Sequence, residues 1–262
     1  MNAKNIIVIV VGVLVVAGAA YAGIKVSKKN MNDNTQSAQN QGQQNSAQNN
    51  QSASSNSQSS AQNSGSQTAL TGCPNGQNVD SRDANGRFKP TLDIANKEAV
   101  LNTSMGKIVI QLYDKDAPKT VENFVCLIQK GYYNGIIFHR VAHGFVIQGG
   151  DPNGTGTGGT SIYGQPFEDE LYQDTPSYQA GYLKGVVAMA NSGPNTNGSQ
   201  FFIMLADNTT LPHAYTIFGK VVSGQDAVDK IGALPVTPVF GPDDGTPKTK
   251  VTINSATIQN AK

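Results

Sequence analysis

The chain has 262 residues, a formal net charge of +1, two cysteines and no tryptophan. The balanced charge, with no long basic run, removes the electrostatic case for a nucleic-acid binder, and two cysteines are too few to build a disulfide scaffold. No Phe, Tyr or Trp lies between Asn30 and Arg87, so the compact part is C-terminal and still long enough to bury a substantial core.

Residues 6–23, IIVIVVGVLVVAGAAYAG, carry no charge. That run is long enough to cross the hydrocarbon core as a helix. Ala20-Tyr21-Ala22 has the small-x-small form of a signal-peptide cleavage site. Lys25, Lys28 and Lys29 follow at once, which favours an uncleaved anchor spanning 1–29. Basic residues flank both ends with an excess behind the run, so orientation is open. The expectation is a membrane-anchored, extracytoplasmic domain, secreted if the segment is cleaved.

Residues 30–68 are mostly Gln, Asn, Ser and Ala. Such a segment has no apolar surface to offset the entropy of ordering, and it is expected to be a disordered linker. As a flexible coil it would hold its ends about 30 Å apart. Residues 69–97 form a transitional extension with Cys73, and 98–262 form the globular domain. Cys126, within VENFVCLI, is expected to be a buried free thiol. A single bridge to Cys73 in an oxidising compartment is the alternative.

Within the domain, residues 99–113 hold two β-rich runs around Ser104-Met105-Gly106, a hairpin signal. Ala117-Pro118 opens a helix over 119–130, with Val121, Phe124, Val125 and Ile128 at helical spacing and Gly131 as its cap. Further strands are expected at 136–141, 145–148, 186–190, 201–204, 217–222 and 250–258, with a second helix at 225–234. Many short strands and two helices predict a mainly β fold, a closed antiparallel barrel with its open ends covered by helices.

Several motifs are weaker than they look. Residues 154–159, GTGTGG, satisfy the G-x-G-x-x-G template, but the TSIYGQP that follows cannot open the phosphate-binding helix. Asp151-Pro152-Asn153 resembles the start of a calcium loop, yet its twelfth position is Ile162. His139 and His143 sit in a strand-like run with no Cys, Asp or Glu nearby to complete a ligand set, so no metal is expected. His213, between Pro212 and Ala214, reads as a surface loop residue. Ser199 lacks a nucleophile elbow and an oriented histidine.

Three segments, FHRVAHGFVIQGGDPNGTGTGG, GVVAMANSGPNTNGSQFFIML and TIFGKVVSGQDAVDKI, together resemble the cyclophilin family of peptidyl-prolyl cis-trans isomerases. Matching segments run in family order from about Val100 to Ile258. The resemblance implies an eight-stranded antiparallel barrel capped by two α-helices and an activity on X-Pro bonds without cofactor or metal. It also implies proline-containing peptides and unfolded proteins as partners. The domain is expected to act as a monomer assisting the folding of exported proteins.

The chemistry such an enzyme needs is specific. Rotation about X-Pro meets a barrier of about 18–20 kcal/mol because amide resonance is lost. In the twisted state the prolyl nitrogen regains a lone pair and can accept a hydrogen bond, and arginine is a permanently charged donor for it. By resemblance, Arg140 is that donor and Gln148 orients it or meets the substrate carbonyl. Phe145, Val146, Phe202 and Leu211 would line the proline pocket. Asn191 would offer backbone groups to the residue before proline, with Ala190, Ser192 and Gln200 beside it and Tyr215 at the rim.

The chain departs from the family at two places. Thr210 stands where many members carry Trp, and Val146 where Met is usual, so weak binding of cyclosporin-type macrocycles is expected. A non-catalytic module that binds proline peptides is the competing reading.

Overall fold

The computed structural model describes residues 72–74, 76 and 80–262. The apolar run at 6–23 and the linker at 30–68 lie outside the described residues. Among the described residues no helix is long and apolar enough to cross a membrane.

The elements in order are β1 (Lys97–Thr103), β2 (Gly106–Leu112), α1 (Pro118–Gln129), β3 (Phe138–Ala142), β4 (Val146–Gly149), α2 (Pro176–Ala180), β5 (Val186–Met189), β6 (Phe201–Met204), β7 (Ile217–Ser223), α3 (Gln225–Gly232), β8 (Val236–Gly241), β9 (Asp244–Pro247) and β10 (Ile253–Asn260). The β1–β2 hairpin turns at Ser104-Met105, and α1 and α3 fall on the two helical patterns of the sequence. The short α2 was not anticipated. Its signals are local: Thr175 accepts from the Tyr178 N–H as a cap, and Pro176 starts the helix.

All the strand pairs are antiparallel, in the order β10-β1-β2-β7-β5-β6-β4-β3-β9-β8. This corrects the expected closed barrel of eight strands with two helices. The sheet has ten described strands, three helices accompany it, and its ladders do not close. The reason lies at β3. Its outer edge is taken over Val141 and Ala142 by β9, so only the segment before it remains to meet the last strand. There the Phe138 N–H donates to the Val251 carbonyl at 3.0 Å and the Ile253 N–H to Ile136 at 2.8 Å, around a single Ile137–Thr252 bridge. The β8–β9 hairpin was missed because β8 contains Pro238, which reads as a strand breaker. As an edge strand, β8 tolerates it.

Alternation splits the apolar residues into two clusters. Ile147, Val187, Phe201 and Ile203 point inward with Val121, Phe124 and Val125 of α1 and Val228 and Ile231 of α3. Val146, Ala188, Phe202 and Met204, their strand neighbours, form a second cluster on the outer face with Leu211 and Tyr215. The inner cluster is the core that stabilises the fold; the outer one floors a groove.

The extension from residue 72 packs on α1, which is therefore buried from Pro118 to Ile128 on every side. Phe88 and Leu92 join the inner core. Glu122 accepts hydrogen bonds from the Thr91 and Leu92 N–H groups and from the Thr91 and Tyr163 hydroxyls. The Lys119 ammonium, almost fully buried, pairs with Glu168 at 2.7 Å and lies over the Phe88 and Tyr163 rings. The expectation of a free Cys126 is corrected: Cys73 and Cys126 form a disulfide, with Cα atoms 5.7 Å apart. The apolar run VENFVCLI correctly buried Cys126. It could not show that the covering segment comes from 53 residues earlier.

Candidate active site

Register brings the site together. Arg140 on β3 faces Gln148 on β4, Gln148 faces Phe202 on β6, and Phe202 faces Ala188 on β5. Directly opposed residues share one face of a sheet, so a guanidinium, an amide and a phenyl ring stand in one row. The next row is Ala142, Val146 and Met204.

Strict alternation would put Arg140 on the face of Phe138, which is buried in the inner core. The ladder instead shifts register between Phe138 and Arg140. This β-bulge at His139 turns Arg140 to the outer face, as bulges re-aim side chains. His139 is buried beside Gly156, and neither ring nitrogen has a hydrogen-bond partner among the described residues. Burial, helped by the nearby Arg140 charge and opposed by Asp151, pushes its pKa down to about 4. At neutral pH His139 is an uncharged packing group.

The guanidinium is held on three sides. Its Nε and Nη2 donate to the two oxygens of Asp244 at 2.8 and 2.7 Å, and Nη1 donates to Gln148 Oε1 at 3.2 Å. The Phe240 ring centroid lies 5.1 Å from Cζ, within range of a cation–π contact. Gln148 Nε2 donates in turn to Gln200 Oε1 at 2.9 Å, and Gln200 Nε2 donates to the Gly156 and Gly158 carbonyls. A continuous hydrogen-bond chain thus runs from the β8–β9 hairpin through Arg140 to the glycine-rich loop.

That loop is organised by Asp151. Burial opposes its charge, but N–H donors from Asn153, Gly158, Gly156 and Thr155 hold its pKa below the usual range. Gly158 packs against the Asp151 carboxylate where a Cβ has no room. The glycines are turn formers around an internal carboxylate, in keeping with the weak dinucleotide signal.

The groove has a volume of 1220 Å³, and every site residue expected from sequence lines it: Arg140, Phe145, Val146, Gln148, Ala190, Asn191, Ser192, Gln200, Phe202, Leu211 and Tyr215. Phe202 and Tyr215 meet edge to face at 5.5 Å. The Asn191 amide nitrogen donates to the Ala214 carbonyl at 2.9 Å and its oxygen accepts from the Gly193 N–H at 3.2 Å. Its side chain is therefore committed to the loop, and its backbone is what a ligand can meet. Thr210 is exposed on the groove wall. His213 is exposed and stacks on Tyr178 at 4.3 Å. Among the described residues no cluster of His, Cys, Asp or Glu could hold a metal ion.

Sequence reasoning missed Asp244 and Phe240. The available signal was Gly241-Pro242-Asp243-Asp244 between two β-capable runs, a two-residue hairpin turn hidden among prolines.

A family model described as cyclophilin type peptidyl-prolyl cis-trans isomerase/CLD matches residues 99–258. The peptidyl-prolyl cis-trans isomerase ppi1 of Schizosaccharomyces pombe is 55% identical over 141 residues, covering 54% of this chain and 87% of its own. The human peptidyl-prolyl cis-trans isomerase-like 1 is 54% identical over 134 residues, covering 51% and 78% respectively. The crystal structure of a cyclophilin type isomerase from Cryptosporidium parvum aligns with a TM-score of 0.57 at 36% identity, over 63% of this chain and 99% of that one. Its structure determined in the presence of the dipeptide Ala-Pro aligns with a TM-score of 0.56, also at 36% identity, over 62% of this chain and 99% of that one.

Proposed function

Since the chain belongs to the cyclophilin-type peptidyl-prolyl cis-trans isomerase family, we propose that its groove lowers the X-Pro barrier through Arg140 and serves exported proteins. The proline ring enters the apolar cluster of Phe145, Val146, Phe202 and Leu211, and Asn191 meets the residue before it through its backbone. As the amide twists, the prolyl nitrogen becomes pyramidal and accepts from an Arg140 N–H. Three of the five N–H bonds of the guanidinium are already engaged, which leaves two for a substrate. Gln148 fixes the guanidinium edge, and the apolar walls keep away water that would favour the planar amide. No bond to carbon is made or broken, and the proton stays on arginine. The row of Arg140, Gln148 and Phe202 carries this reading.

The Cys73–Cys126 disulfide supports an oxidising, extracytoplasmic setting. The apolar run at 6–23 would anchor the protein, the polar linker would stand the domain off the surface, and the domain would work as a monomer on unfolded chains. Thr210 and Val146 give cyclosporin-type macrocycles a poorer wall, so inhibition is weak. Two measurements test the proposal. Exchange at an Xaa-Pro peptide should be fast in wild type and nearly lost in Arg140→Ala; equal rates would reject the role of arginine. Protease added to intact cells should remove the domain, and protection would reject the outward orientation.

A further inference from the structure

We propose that Asp244 is a positioning residue for the isomerisation, brought to Arg140 by the β8–β9 hairpin. This rests on Arg140 as the donor to the prolyl nitrogen. Asp244 pairs with Ala142 across β9 and β3, so Arg140, two residues before Ala142, is its diagonal neighbour on the same face. Diagonal neighbours lie within reach of long side chains. Gly245 follows at once, packed on the Thr237 carbonyl with no room for a Cβ, so β9 closes tightly on β8 at the position that aims Asp244.

The carboxylate takes Nε and Nη2 in parallel, an arrangement that fixes the plane of the guanidinium as a single contact could not. Both side chains are mostly buried, at 19% and 22% exposure. Phe240 covers Arg140 at 5.1 Å while remaining 47% exposed itself. A large ring left that open gains little from burial of its own, and its contact with the guanidinium is the feature its place in the hairpin provides. Arginine is a side chain with much rotamer freedom to lose. Asp244 and Phe240 order it during folding, so the transition state meets a donor already in place. Gln148 alone, through one bond at 3.2 Å, leaves rotation about the long stem open.

The test is Asp244→Asn, with Asp244→Glu and Arg140→Ala as companions, in the full chain. Xaa-Pro exchange by NMR gives turnover, and titration with the same peptide gives affinity. Asp244→Asn is expected to lower turnover about tenfold, by analogy with the loss of a partner that orients a metal ligand, with peptide affinity unchanged. The Arg140 Hε, which donates to Asp244, should give a sharp resonance in wild type that broadens in Asp244→Asn. Asp244→Glu should recover part of the turnover and of the resonance. In an Arg140→Ala background Asp244→Asn should have no further effect, since a residue acting through another loses its influence with it.

Undiminished turnover in folded Asp244→Asn, or an equal loss in the Arg140→Ala background, overturns the proposal. Should Asp244→Asn unfold the hairpin, a folded Asp244→Glu that keeps full turnover with a broadened Hε line overturns it equally. If Arg140→Ala itself retains wild-type turnover, the donor role of Arg140 fails instead, and the two failures are told apart.

Discussion

Replacing Arg140 with lysine keeps one positive charge in the groove and removes the fork. The guanidinium now gives Asp244 two bonds of 2.8 and 2.7 Å and Gln148 a third at 3.2 Å. A lysine Nζ has three donors at one point and no plane. Drawn to Asp244 by the stronger charge pair, it cannot also satisfy Gln148 and stand over a proline nitrogen above Phe202. Losing one preorganised donor at a transition state costs about 100- to 1000-fold, about 2.7–4 kcal/mol. The residual field of the ammonium returns part of this, so kcat/KM should fall about 100-fold. Peptide affinity should change little, because the apolar walls are untouched. Equilibrium exchange of an Xaa-Pro peptide by NMR gives both quantities in one experiment. A folded Arg140→Lys protein with most of the wild-type turnover would refute the account, since charge without geometry would then suffice.

Three further outcomes follow from other parts of the molecule. The disulfide closes a loop with a sequence separation of 53, for which chain entropy gives about 4 kcal/mol. At about 2–4 °C per kcal/mol for a domain of this size, Cys73→Ser with Cys126→Ser should lower Tm by about 10 °C. Isomerase activity at low temperature should be unchanged; an unchanged Tm by calorimetry would show that the extension needs no tether. The Glu170 carboxyl, buried and held by the Lys119 and Thr120 N–H groups and the Thr120 hydroxyl, is pushed up to about 7 by its burial, while burial pushes His139 down to about 4. Stability from Glu170 is full below about 4.5 and lost as pH rises through about 7. Stability from His139 is full above 6.5 and lost as pH falls through about 4. Each amounts to about 3 kcal/mol across its window, and in wild type they offset. Urea midpoints should therefore rise with pH in Glu170→Gln and fall with pH in His139→Phe; parallel profiles would contradict the assignment. Thr210→Trp adds an aromatic wall at an exposed groove position and should tighten cyclosporin-type macrocycles on the order of tenfold, read by competition against peptide turnover.

The local chemistry of the chain was legible without its fold. The 3 and 4 residue spacing of Val121, Phe124, Val125 and Ile128 placed α1, and alternation over residues 107–113 with further short β-rich runs placed the strands from β1 to β7 and β10. The match of three segments to one family brought Arg140, Phe145, Gln148, Asn191, Phe202 and Leu211 into one site, and all of them line one groove. Each of these signals is carried by neighbours in sequence or by resemblance, so no contact had to be known.

What the tertiary structure decided depends on pairings between distant residues. Alternation sends Arg140 to the inner face; only the register shift beside His139, set by how β3 meets β4, sends it outward. Asp244 lies 104 residues from Arg140, on a strand that ends at Pro247 and pairs with a strand that holds Pro238, and nothing local marks it as the partner of the arginine. Cys73 likewise finds Cys126 because the extension crosses α1. Side-chain type and spacing fix what a segment can do. The face on which it acts, and the group that holds it there, are fixed by the ladder, because moving a strand by one residue exchanges its two faces.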